Sequence, residues 1–137
     1  MIYAVIDTNV FVAALLSRHS DSATIQVVNT LFRNGICPLY NPEIIAEYKD
    51  VLHRKKFCFP PEAIDAIIRT VQENGISAER IQCSEIFPDP KDIVFYEVAL
   101  SKEDAYLVTG NTKHFPKSPI VVTPAEMLEI LQKDGFW

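Results

Sequence analysis

Short unbroken apolar runs alternate along this chain with longer stretches in which apolar residues recur every three or four positions. The first run, Ile2-Tyr-Ala-Val-Ile6, stops abruptly at Asp7-Thr8-Asn9. A run of this length bounded by polar residues predicts a buried strand, and buried strands belong to parallel sheets covered on both faces. A helix is expected from about 9 to 16. After the polar, turn-like Ser17–Ser22, helical spacing resumes at Ala23, Val27, Val28, Leu31 and Phe32, with Gly35 placed to terminate it. Ile36–Tyr40 reads as a second strand whose pairing Pro38 restricts.

Asn41-Pro42 supplies an N-cap and a proline at the first helical position. On that helix Ile44, Ile45, Tyr48, Val51 and Leu52 form one face, and Glu43, Glu47, Asp50 and Arg54 the other. Pro60-Pro61 starts a further helix with an apolar stripe of Ala63, Ile64, Ile67, Ile68 and Val71, which Gly75 ends. A weak strand is expected near Arg80–Cys83. Asp89-Pro90-Lys91-Asp92 opens the next helix, and Ala105–Thr109 is the second clear buried strand. Ile120–Val122 reads as the last strand, and Thr123-Pro124-Ala125-Glu126 as a capping box opening the closing helix. Strands alternate with helices without repeat or low-complexity linker. The pattern predicts one α/β domain over residues 1–137, three layers (α/β/α) around a mainly parallel sheet.

Composition adds limits. The 137 residues are 48% hydrophobic and 23% charged, an ordinary globular balance. No apolar run approaches the roughly 20 residues that span a bilayer, and Met1 leads directly into a strand without the basic region of a signal peptide. Cys37, Cys58 and Cys83 are odd in number and form no metal-binding spacing, which points to reduced thiols and a cytoplasmic setting. A net charge of −5 argues against broad affinity for nucleic acid. It leaves room for a nucleic-acid enzyme whose acids are concentrated in one site.

In parallel sheets ligands bind beyond the carboxyl ends of the strands. Two strands end in polar residues there: one at Asp7, the other at Thr109-Gly110-Asn111. Asp89 and Asp92 open the helix before the second of these strands. Carboxylates kept together repel one another unless a cation joins them, and oxygen-rich sites favour hard ions such as Mg²⁺ or Mn²⁺. Each acid also has a bland reading: Asp7 and Asp89 as N-caps, Asp92 as a complement to the helix dipole, Glu47 as part of a solvated helix face. Glu97, among apolar neighbours, is open between a flank residue and a support of the site. Other chemistries fit poorly. The chain has only four glycines, no dinucleotide-binding or P-loop glycine pattern and no Gly-x-Ser-x-Gly elbow. His19, His53 and His114 have no metal-ligand spacing between them.

The ordered set of Val5-Ile-Asp-Thr-Asn-Val-Phe-Val-Ala-Ala-Leu15, Pro42-Glu-Ile-Ile-Ala-Glu-Tyr48, Leu52-His-Arg-Lys-Lys-Phe57, Asp89-Pro-Lys-Asp92 and Leu107-Val-Thr-Gly-Asn-Thr-Lys-His-Phe-Pro116 resembles PIN-domain ribonucleases. The likeness is greatest to the branch of toxins in toxin–antitoxin pairs. It implies hydrolysis of RNA phosphodiesters with bound Mg²⁺ or Mn²⁺, an RNA substrate, a small antitoxin partner and a homodimer. By the resemblance Asp7, Glu47 and Asp92 are the metal-binding and catalytic acids, with Asn9, Asp89, Thr109 and Asn111 supporting them. Where the family often has a fourth acid this chain has Asn111, which removes one negative charge and should weaken a second metal. The resemblance gives His53, Arg54, Lys55, Lys56, Lys113 and His114 as a basic rim for the RNA backbone. For residues 53–56 the alternative is a helix C-terminus stabilised by cations. An alternative to the enzyme is a PIN-fold module that binds RNA or a partner without turnover.

Overall fold

The computed structural model describes residues 1–136. Five strands form one sheet: β1 (Ile2–Ile6), β2 (Ile36–Tyr40), β3 (Ile76–Ser77), β4 (Tyr106–Val108) and β5 (Val121–Val122). Six α-helices accompany them: α1 (Thr8–Leu16), α2 (Ala23–Phe32), α3 (Pro42–Leu52), α4 (Pro61–Asn74), α5 (Ile93–Ala99) and α6 (Pro124–Lys133). Short 3₁₀ turns lie at Pro90–Asp92 and Thr112–His114. The spatial order is β3-β2-β1-β4-β5 and every pairing is parallel. This is the three-layer α/β/α arrangement that the run pattern predicts.

The order has a consequence for function. From β1 the chain builds outward to β2 and β3 on one side, then crosses back to place β4 and β5 on the other. The strand order therefore reverses between β1 and β4, and a crevice opens at such a switch point beyond the carboxyl ends of the two strands. Register aligns Ile6 with Val108, and the Asp7 amide donates to the Val108 carbonyl at 2.9 Å. Residues 7 and 109 thus leave the sheet side by side.

Local chemistry explains the helix starts. Asn41 accepts from the Ile44 amide at 2.8 Å, and Ser22 accepts from the Ile25 amide. The Thr123/Glu126 capping box closes reciprocally, satisfying amides that no helical turn can reach. The core faces of α3 and α4 are those expected, apart from Ala63, which is only partly buried. Phe11 and Tyr48 meet edge to face at 5.1 Å and lock α1 to α3.

Two expectations are corrected, and a third is met for a different reason. The strand near Arg80–Cys83 does not form; β3 lies earlier, at Ile76–Ser77. The backbone at 81 and 83 is instead bonded to one residue, since the Ile81 amide donates to the Glu97 carbonyl and the Cys83 amide to the Glu97 carboxylate. Gly35 does not supply the left-handed residue after α2; Asn34 does, with φ 63°, consistent with the tolerance of asparagine for that region. Gly75 follows α4 as expected, but its φ of −104° needs no glycine. Space is the reason: a Cβ there would fall 2.4 Å from the Pro38 carbonyl oxygen. Pro38 itself is compatible with an inner strand because β3 pairs only with Leu39 and Tyr40, beyond it.

Candidate functional site

The end of β1 delivers Asp7 into the crevice, where only 7% of the residue is exposed. It stands in the N-cap position of α1, yet its side chain makes no capping hydrogen bond. The carboxylate turns to the neighbouring strand and accepts from the Thr109 hydroxyl at 2.8 Å. Thr109 is wholly buried. Its oxygen receives the Asn111 amide at 3.0 Å and the Asn9 side-chain amide at 3.4 Å, while Asn9 Oδ1 accepts from the Gly110 amide at 3.0 Å. Asn9 and Thr109 therefore stitch the two strand ends together and aim Asp7. The α3 side adds Tyr48, whose buried hydroxyl donates to the Ile6 carbonyl just before Asp7. Sequence periodicity marks Tyr48 only as a core residue; its polar task has no local signal.

The electrostatics of this crevice are unfavourable as they stand. Burial, above all, raises the Asp7 carboxyl from 3.8 to about 6, and the charge of Asp92 adds to the rise. The Thr109 hydroxyl and the nearby Asn9 and Thr8 amides offset only part of it. Asp92, half-buried at the start of α5, is also raised, chiefly by burial and then by Asp89, with Glu47 contributing. Partial relief comes from His114, whose Nδ1 lies 3.4 Å from Asp92 Oδ2. The alignment falls short of a hydrogen bond, so that carboxylate oxygen is buried with no hydrogen-bond partner. Thr8 Oγ1 is buried and unpartnered as well. Buried polar atoms are seldom left so, and each exception needs a reason.

The expected residues thus divide. The charge of Asp92 acts on Asp7, and those of Asp89 and Glu47 act on Asp92, whereas among the described residues no three His, Cys, Asp or Glu side chains converge tightly enough to cage an ion by themselves. Glu47 is half-buried, more enclosed than a solvated helix face requires. Asp89 is exposed and caps the 3₁₀ turn by accepting from the Lys91 amide at 3.0 Å, the bland role considered for it. Asn111 reaches the crevice through its backbone bond to Thr109.

The basic residues also divide. His53 Nδ1 lies 2.7 Å from the Lys49 carbonyl oxygen, and Arg54 pairs with Asp50 at 3.3 Å, so both serve the end of α3. Lys55, Lys56 and Lys113 are exposed. Glu97 lies apart from the crevice's acids in a pair of its own, bound by Arg80 at 2.7 Å and by the Cys83 amide at 2.8 Å. All three cysteines are free thiols.

Donor type and charge fit a divalent cation: buried carboxylates, one with an orphaned oxygen, and no fixed positive group directly on Asp7. The looseness of the set requires that such a cation keep waters and take only one or two carboxylates directly. Among the described residues no helix is long and apolar enough to cross a membrane. No curated protein and no solved structure matches the chain. A family model described as PIN domain matches residues 3–113, from the first strand past Asn111. With its all-parallel sheet and its acids at the β1/β4 crevice, the chain belongs to the PIN-domain family.

Proposed function

We propose that this PIN domain is a metal-dependent endoribonuclease that uses Mg²⁺ or Mn²⁺ to hydrolyse RNA phosphodiester bonds. PIN domains are generally nucleases, and one observation carries the more specific reading. At the switch point of the sheet, a deeply buried carboxylate, Asp7, with no cation of its own faces a second acid, Asp92, whose buried oxygen has no hydrogen-bond partner and only His114 at 3.4 Å. In this reading Asp7 and Asp92 hold the ion directly and Glu47 holds it directly or through water. Such an ion, when bound, lowers the pKa of a bound water and neutralises charge on the scissile phosphate.

The chain's own residues prepare that chemistry. Thr109 donates to one Asp7 oxygen and leaves the other carboxylate oxygen for the ion. Asn9 fixes the Thr109 side of the crevice through two bonds, the kind of outer support that sets ligand orientation. Asn111 takes the place of a fourth acid, so the site favours one firmly held ion. Lys113 follows Asn111 and is free to meet a flanking phosphate.

The test is incubation of purified protein with unstructured and structured RNAs in Mg²⁺ or Mn²⁺, beside EDTA controls and Asp7→Asn. Internal cleavage that requires the ion and Asp7 supports the reading; cleavage that survives chelation, or is unchanged in Asp7→Asn, contradicts it. A role as the toxin of a toxin–antitoxin pair, acting as a homodimer in the cytoplasm, is a narrower reading supported by the sequence likeness. It predicts growth arrest on expression, relieved by the product of a small adjacent gene. A non-catalytic RNA- or partner-binding module is favoured by Asn111 and by the net charge of −5, and it predicts binding without cleavage at any metal concentration.

A further inference from the structure

Beyond α3 the chain makes a feature that the acidic crevice does not use. Phe57 and Phe59 stack with ring planes 4° apart and centroids at 5.0 Å. Both rings are partly exposed. Phe59 packs against the core, whereas Phe57 lies outside it, resting on Phe59 with Lys56 Nζ 5.1 Å over its ring. Between them Cys58 has φ 54°, a left-handed conformation seldom adopted by a side-chain-bearing residue other than Asn, Asp or His. A bond from Cys58 Sγ to the Lys55 carbonyl at 3.1 Å accompanies that turn. Such a backbone persists where surrounding structure holds it. Here it brings two rings parallel on the surface rather than burying them.

The surroundings point to a ligand. Lys55 and Lys56 are exposed in this turn, and neither makes a salt bridge among the described residues. The polar face of α3 connects the feature to the crevice, since Glu47, Asp50 and Arg54 follow one another along it. His53 is about 9 Å along the helix axis from Glu47 at 1.5 Å per residue. A ring face beside lysines that make no salt bridge, on the turn that follows α3, matches how proteins hold single-stranded nucleic acid: bases stack on aromatics while cations track the phosphates. A base in a duplex is already stacked and cannot use such a face.

We infer that Phe57, supported by Phe59 and flanked by Lys55 and Lys56, is a base-stacking platform on which an unpaired base of the RNA is positioned. The inference rests on the ribonuclease reading for its choice of RNA, and it assigns Phe57 to positioning, not to the chemical step. Lys56 moves off the ring to a phosphate as a base takes its place.

The test is fluorescence anisotropy in EDTA, which blocks cleavage, with a labelled mixed-sequence single-stranded RNA and the same sequence as a blunt duplex. Phe57→Ala and Phe57→Leu should each weaken single-strand binding by about 5- to 140-fold, the loss of one stacked base. Phe57→Trp should retain it, and duplex affinity should not change. Phe57→Leu keeps an apolar cover over Phe59, so a melting temperature equal to wild type separates lost stacking from lost folding. Single-strand binding unchanged in both variants, equal loss on duplex, or no RNA binding by wild type would each overturn the platform. Cleavage in Mn²⁺ is scored separately. Phe57-dependent binding without cleavage keeps the platform and removes the ribonuclease reading, and cleavage with Phe57-independent binding does the reverse.

Discussion

Asp7 and Glu97 are equally hidden, at 7% and 6% exposure, and the fold treats them in opposite ways. Burial pushes both carboxyls up. At Glu97 the Cys83 amide and the Arg80 guanidinium outweigh it, and the net shift is downward. At Asp7 a neutral hydroxyl and weakly placed amides face another acid, and the carboxyl rises to about 6. Depth differs too: Glu97 is covered by the 80–83 strap and by Arg80, itself 36% exposed, whereas Asp7 lies between strand ends. The molecule neutralises a buried acid where the acid serves structure. Where it leaves one unneutralised, at the switch point of a parallel sheet, the missing charge is expected from outside.

The largest test of this contrast lies within one turn. Asp92→Asn should cut metal-dependent cleavage by more than about 100-fold, beyond what loss of an outer support usually costs. Asp89→Asn should change it by less than about threefold, because asparagine caps as well as aspartate. Initial rates on one RNA compare the two. Equal losses would merge roles that the structure separates.

Stability gives the next effect. A carboxyl whose pKa rises on folding binds its proton more tightly in the native state, so metal-free stability falls as pH climbs from about 4 to 6 and stays lowered above. At 1.36 kcal/mol per unit the cost reaches about 3 kcal/mol by pH 7. Asp7→Asn should remove much of it and raise metal-free stability in urea titrations at pH 7.5, with little gain at pH 4. A loss of stability at both pH values would contradict the electrostatic account.

Arg80→Ala should act in the other direction. It strands the Glu97 carboxylate at a cost of about 2 kcal/mol, scaled down for the partial exposure of the arginine, and should lower the melting temperature by about 6 °C. Glu97→Gln in the same chain should recover part of the loss, because no charge is then left unpaired. The smallest effect concerns orientation. Thr109→Val removes the donor to Asp7, should push that carboxyl further up, and should weaken metal binding by about tenfold, as measured by calorimetric Mn²⁺ titration. Unchanged affinity would mean that Thr109 only fills space.

The layers of the fold were legible because they are written locally. The apolar run ending at Asp7, the Asn41-Pro42 start and the Thr123–Glu126 box each declare themselves within a few residues. The site was legible in its members, through their order along the chain, more than in its geometry. Tyr48 to the Ile6 carbonyl spans 42 positions and Thr109 to Asp7 spans 102, and no periodicity encodes such pairings. The same blindness produced the expected strand at Arg80–Cys83: β-like residues were visible, while the claim of Glu97 on their amides was not. Asn34 and Gly35 show a smaller case, in which neighbouring residues could each end a helix and packing chose.

One measurement bears most directly on the claim that the β1/β4 crevice is built for a divalent cation. Wild type and Asp7→Asn are melted at pH 7.5 with and without Mn²⁺. The account predicts that Asp7→Asn melts above wild type without metal, and that Mn²⁺ raises wild type but leaves the variant unmoved. Mn²⁺ shifting both proteins equally, or neither, would contradict it.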